Sequence, residues 1–188
     1  MTRLHLTRRL LHWAIALLVL AQIALGLLFT DFDNRPTVEA MFGEGAFDAL
    51  YDLHKSLGVT ILALVVARIA AMLVWPGPPH QPPLPALIRI AAKLNHGGLY
   101  ALLVLLPLLG WAGVSAFRAP VPVFGLFQAP HLAAENRPVS EFLLGLHGAA
   151  AFTLLALIAI HVAAALWHRQ RRRDGVFERI SFGRRRRG

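Results

Sequence analysis

The stretch FLLGLHGAAAFTLLALIAIHVAAALW, Phe142 to Trp167, decides the reading: it is 26 residues long and its only ionisable groups are two histidines. A helix of that length more than covers the hydrocarbon core of a bilayer. Three further apolar runs precede it, Leu10 to Phe29 (20 residues), Leu57 to Trp75 (19) and Leu99 to Phe117 (19). Of the 188 residues 56% are hydrophobic and only 15% charged, with mean hydropathy +0.56, which excludes a disordered chain and argues against a soluble single-core domain. The expected fold is an all-α membrane protein, a four-transmembrane-helix antiparallel bundle with helices at about 9–30, 53–75, 94–117 and 142–168. It forms a single domain over 1–188, ending in a basic tail at 169–188.

Charge sets the direction of threading. Arg3, Arg8, Arg9, Arg89, Lys93, Arg169, Arg171 to Arg173, Arg179 and Arg184 to Arg187 fall on the side shared by both termini and the middle loop. The opposite side carries Arg35, Lys55, Arg118 and Arg137 alone. The positive-inside rule therefore places both termini in the cytoplasm and turns Thr30 to Ser56 and Arg118 to Glu141 outward. The first run is too long for a signal peptide and no small-residue cleavage site follows it, so it reads as a retained helix. A net charge of +9 and the Arg184 to Arg187 cluster are explained by this topology and by anionic lipid, without nucleic acid. The inner linker PGPPHQPPLP (Pro76 to Pro85) is too rich in proline for a helix, and the acidic outer loop Asp31 to Asp52 has room for a short helix around Thr37 to Leu50. The apolar PVPVFGLF of the second outer segment suits the membrane surface, with no readable shape.

With no cysteine, disulfides, thiolate metal sites and covalent c-type haem attachment are excluded. Nine histidines remain, and an ionisable group inside a bilayer is costly enough to need a partner or a function. Fourteen residues separate His147 from His161, which places them within about 40° of one helix face and roughly 21 Å apart along it. Antiparallel threading brings His54 to the depth of His147 and His12 to the depth of His161, predicting two histidine pairs. Paired neutral imidazoles without a thiolate or carboxylate suit the axial positions of a haem iron, whereas zinc normally takes more protein ligands. Histidines hydrogen-bonded across the helices are the plainer alternative. The small residues after His147 (Gly148 to Ala151) and His161 (Val162 to Ala165) leave space for a macrocycle or serve ordinary close packing. Arg68, fourteen residues after His54, either meets a haem propionate or snorkels to the headgroups. His96 and His168 are candidates for a propionate or quinone contact, or for simple interfacial positions. His5, His80 and His131 read as solvated loop residues.

These residues together resemble the prokaryotic cytochrome b561 family. The resemblance is carried by LLHW around His12, LHKSLG around His54, VVARI with Arg68, LNHGGLY around His96, LHGAAAF around His147 and IHVAAALWH around His161 and His168. It spans the chain from about Leu4 to Ile180, and the ordered set of histidines is more specific than any one tetrapeptide. The resemblance implies a multi-pass protein of the bacterial inner membrane with two haem b groups, an outer one on His54 and His147 and a cytoplasmic one on His12 and His161. It implies an oxidoreductase passing electrons from a periplasmic-side donor, such as superoxide, to ubiquinone or another membrane quinone. Related members are haem-bearing anchors that relay electrons for a partner dehydrogenase or hydrogenase. Eight carboxylates against four cations on the outer segments argue against steering an anion such as superoxide there, unless Lys55, Arg118 or Arg137 makes a local positive patch. A transporter or metal channel using the histidines directly is the third class of function.

Overall fold

The computed structural model describes residues 3–29, 32–79 and 83–182. His80, Asp31 and the Arg184 to Arg187 cluster lie outside the described residues. Four long apolar helices dominate: α1 (Leu6–Leu28), α3 (Ala46–Val74), α4 (Ala86–Ala116) and α5 (Arg137–Trp167). Each is long and apolar enough to cross a membrane.

The helices outrun their apolar stretches because polar residues start them. Asn136 caps α5, its side-chain oxygen accepting the Val139 N–H at 3.1 Å, with Pro138 in the first turn, where its missing N–H costs nothing. His5 caps α1 through Thr7 N–H. The short helix expected around Thr37 to Leu50 is instead split: α2 (Arg35–Phe42) stops at Gly43, and α3 starts after Gly45. Both glycines have positive φ, +99° and +75°, so the FGEG sequence breaks what hydrophobicity alone would join.

Hydrogen bonds give the register between helices. Going up α1 from Arg8 to Gln22, the partners on α3 go back from Arg68 to His54. From Asn95 through Leu106 to Gly113 on α4, the partners on α5 go back from Leu157 through His147 to Ser140. Ile15, Val19, Ile61, Val65, Leu106 and Leu154 meet in one small core to which all four helices contribute. Most remaining apolar side chains point outward, including Leu17, Leu73, Leu87 and Phe152. Such a surface is stable only against lipid, where backbone groups must be satisfied inside the helices, as they are here.

The segment between α4 and α5 contains a two-stranded hairpin, β1 (Pro122–Val123) with β2 (Phe127–Gln128). Phe124 and Gly125 turn it, both with φ positive, the geometry whose twist matches paired strands. Its buried face, Val121, Val123 and Ala129, packs on Val114, Trp111 and Val59. Ser56 of α3 pins it: the hydroxyl accepts the Phe124 N–H at 2.9 Å and lies 3.0 Å from the Pro122 carbonyl. At the opposite end, after a π-helical turn (His168–Arg172), the chain folds back onto α1. There Leu4 N–H donates to the Arg179 carbonyl, Trp13 Nε1–H to Ile180 and Arg9 to Ser181.

Candidate functional site

The helix register brings the predicted histidines together in twos. The ring centroids of His54 and His147 are 6.2 Å apart, and those of His12 and His161 are 6.1 Å apart. An imidazole nitrogen about 2.0 Å from a metal puts its ring centroid roughly 3 Å from that metal, so two rings on opposite sides of one ion stand about 6 Å apart. Both pairs match that spacing, which is too wide for a direct hydrogen bond between ring nitrogens. Among the described residues no group of three or more His, Asp or Glu side chains is placed to hold a metal. Two protein donors per site suit an ion whose remaining positions are filled by a macrocycle, and do not suit a four-ligand zinc site.

Next to the outer pair is a cavity of about 500 Å³, lined by His54, His147, Gly26, Gly58, Gly110 and Val121 among others. That volume is in the range of small-molecule and cofactor sites. Two of these glycines make room for the ligand rings themselves. A Cβ on Gly26 would stand 3.4 Å from His54 Cε1, and one on Gly110 would stand 3.0 Å from His147 Nδ1. His147 Nδ1 lies 2.9 Å from the Leu106 carbonyl, which can only accept. The Nδ1 of His147 therefore carries the proton and its Nε2 keeps the lone pair a metal needs. His54 is held differently: its backbone carbonyl accepts from Gln22 at 2.9 Å, while its buried Nδ1 has no partner among the described residues.

At the inner pair, His12 Nδ1 is likewise buried without a partner among the described residues. His96 approaches the same place, its ring 5.1 Å from that of His161, with Nδ1 bonded to its own helix at Ala92 O, 2.6 Å away. Arg68 comes to this end too, its charge acting on both His12 and His161. Its Nε donates to the Tyr100 hydroxyl at 2.8 Å and its Nη1 to the Arg8 carbonyl at 2.5 Å. The structure does not bring His168 into either pair. It is buried beyond the end of α5, with Nδ1 2.7 Å from Asp174. Burial alone would raise the Asp174 pKa, but the bonds from His168, Val176 N–H and Arg172 outweigh it and hold the carboxyl below its usual range. His5 is exposed, as expected, and also stacks flat on Trp75 with centroids 4.5 Å apart. His131 is exposed as expected.

Sequence reasoning missed Gln22, Gly110 and the Leu106 carbonyl. The proline and glycine four residues into PLLG, Pro107 to Gly110, were the available signal, since both weaken a helix that nevertheless continues there. The four cations expected on the outward segments, Arg35, Lys55, Arg118 and Arg137, are all paired with carboxylates. Arg35 binds Asp48 and Glu39, Lys55 lies 2.7 Å from Asp52, Arg118 3.7 Å from Glu135 and Arg137 3.3 Å from Glu141.

Four long apolar helices presenting paired imidazoles define the class: a multi-pass membrane protein with histidines facing one another across its helices. The chain belongs to the prokaryotic cytochrome b561 family, whose pattern it matches over residues 3–183. It is thus a multi-pass bacterial membrane protein of a family that binds haem b and transfers electrons. Among curated relatives, it is 28% identical to cytochrome b561 homolog 2 of Escherichia coli over 90% of this chain and 86% of the relative. It is 34% identical to cytochrome b562 of Cereibacter sphaeroides, covering 95% and 93% of the two chains. A probable superoxide oxidase, CybB of Yersinia pestis, is 31% identical over 68% of this chain and 72% of its own.

Proposed function

We infer that the chain is a di-haem cytochrome of the bacterial inner membrane, an antiparallel four-helix bundle with both termini in the cytoplasm. It transfers electrons from a periplasmic-side donor to a membrane quinone. The observation that carries this is the recurrence of one spacing, about 6 Å between imidazole centroids, at both levels of the membrane. His54 and His147 would hold the outer haem, His12 and His161 the cytoplasmic one. When bound, the haems supply reversible one-electron chemistry at iron.

The residues around the pairs do the rest. With two imidazoles given to each iron, the chain would supply outer-sphere electron transfer there, without binding an oxygen species at the metal. Arg68 beside the inner pair is the cation available to a propionate. Reduction of a quinone to a quinol takes two electrons and two protons. His96, exposed and next to His161, is placed to pass protons from the cytoplasmic side through Nε2, since its Nδ1 is bonded to Ala92.

The donor is where two readings part. The name of the Yersinia relative supports superoxide. The carboxylate beside every outer cation supports a second reading, in which the acidic outer face docks a partner dehydrogenase or hydrogenase subunit and the chain is its haem-bearing anchor. Purified alone, the chain should carry two haems per polypeptide, with sharp reduced bands that carbon monoxide does not shift. A colourless product from haem-replete cells would overturn the reading. His147→Ala should remove only the outer haem and His161→Ala only the inner. Quinone reduction by superoxide in the isolated chain supports the stand-alone enzyme, and intact haems without that activity support the anchor.

A further inference from the structure

At the end of the molecule where the C-terminal segment returns to α1, Asp174 pairs with His168 and Arg172, and three other cations lie without an ion pair to a described carboxylate. Among the described residues, Arg8 from α1, Arg68 from α3 and Arg179 from the C-terminal turn bond to neutral oxygens: the Trp75 carbonyl at 3.0 Å, the Tyr100 hydroxyl and Arg8 carbonyl, and the Pro78 carbonyl, respectively. Arg68 and Arg179, both of like sign, act on the Arg8 guanidinium, and Tyr100 acts in the opposite sense. No ion pair to a described carboxylate involves any of the three, in contrast with the four fully paired cations of the outer face. The Nε of Arg8 is buried with no partner among the described residues. A glycine makes the approach possible: a Cβ on Gly77 would lie 2.6 Å from Leu4 Cδ2, 3.1 Å from Arg8 Nη1 and 3.3 Å from Arg179 Nη2, so both guanidinium edges come to the same glycine, beside the end of the Leu4 side chain. Holding like charges together in a partly buried setting is costly unless an anion sits between them.

We propose that Arg8 and Arg179, over Gly77 and backed by Arg68, form a binding site for the phosphate of an anionic phospholipid. Planar guanidiniums suit a tetrahedral oxyanion through paired N–H donors. The level is right for a headgroup: the site borders the residues just past Trp75, the aromatic at the end of α3, and amphipathic aromatics mark the membrane interface. From the proposed topology the site takes only that this end lies at a headgroup layer. It needs no haem.

The test uses the full chain in nanodiscs of phosphatidylcholine alone or with one fifth phosphatidylglycerol, and native mass spectrometry of lipids retained on release. Wild type should keep phosphatidylglycerol preferentially, and the preference should fall about five-fold in Arg179→Gln, a residue outside the spanning helices. Arg8→Gln should act similarly, and Lys93→Gln, a cation elsewhere on the same side, should leave the preference unchanged. No preference in wild type, or an undiminished one in Arg179→Gln, overturns the proposal. Equal thermal stabilisation by inorganic phosphate and by the lipid overturns the lipid as source, and loss of haem in place of lipid from Arg179→Gln reassigns the arginines to a propionate. A colourless chain that still selects phosphatidylglycerol would refute the cytochrome reading and leave this one standing.

Discussion

Gly110→Ala is the most incisive perturbation of the outer pair, because it acts on a ligand from a helix that supplies none. The added methyl would sit 3.0 Å from His147 Nδ1 and 3.1 Å from Cε1. Comfortable contact begins at about 3.5 Å, so the ring must retreat by roughly 0.5 Å. That retreat stretches the 2.9 Å bond to Leu106 beyond ordinary hydrogen-bond length. Outer partners of metal-binding histidines are worth about 10–100-fold in affinity when lost. Crowding adds a cost of about 1–3 kcal/mol to the fold. Haem titration of the apoprotein, read by the outer-haem absorbance, should therefore show affinity lower by one to two orders of magnitude, with the inner haem bound as before. Gly97→Ala, on the same helix, is the control, since a Cβ there meets nothing within 4 Å. Wild-type affinity in Gly110→Ala together with an unchanged outer-haem reduction potential would refute the argument that Leu106 and Gly110 orient His147.

Other expectations follow from neighbouring features. Ser56→Ala removes the hydroxyl that pins the hairpin and leaves the Phe124 N–H without its partner, so unfolding should be easier by about 1–3 kcal/mol and cleavage near Phe124 to Leu126 faster. The Asp174 carboxyl has a lowered pKa, so its contribution is fully present above the ordinary carboxylate pKa and disappears as pH falls through the lowered folded value. Acid titration should loosen the C-terminal turn only in that low window, and Asp174→Asn, followed by hydrogen exchange of Val176, should abolish the step. The imidazole planes cross at 72° in the outer pair and 35° in the inner, so paramagnetic resonance of the oxidised protein should show two distinct low-spin signals, the more anisotropic one lost in His147→Ala. Identical signals would contradict those ring orientations.

The four spans were legible because a bilayer demands long apolar runs, and the histidine depths were legible because helix rise and threading convert sequence position into height. The pairings of His54 with His147 and His12 with His161 needed nothing more. What could not be read were features set by sub-ångström approach and by chain return. Nothing in the composition of PLLG says that Gly110 lies against an imidazole, and the placing of His168 on Asp174 depends on a turn that leaves the helix period at Trp167. The stacking of exposed His5 on Trp75 could not be read either, because it depends on where the end of α3 comes to lie. The split at Gly43 to Gly45 was visible in the letters, but hydrophobic patterning does not register a glycine whose only role is its backbone angle.

The stitch between Leu4 and Arg179 brings the start and finish of the described chain side by side. Both lie at the same end of the molecule as the proline-rich connector between α3 and α4. A permuted gene that fuses these neighbours and opens within that connector would reorder the spans as α4, α5, α1, α3 while every helix keeps its original orientation in the membrane. The connectivity of the described chain is therefore close to a ring, joined at Leu4 and Arg179.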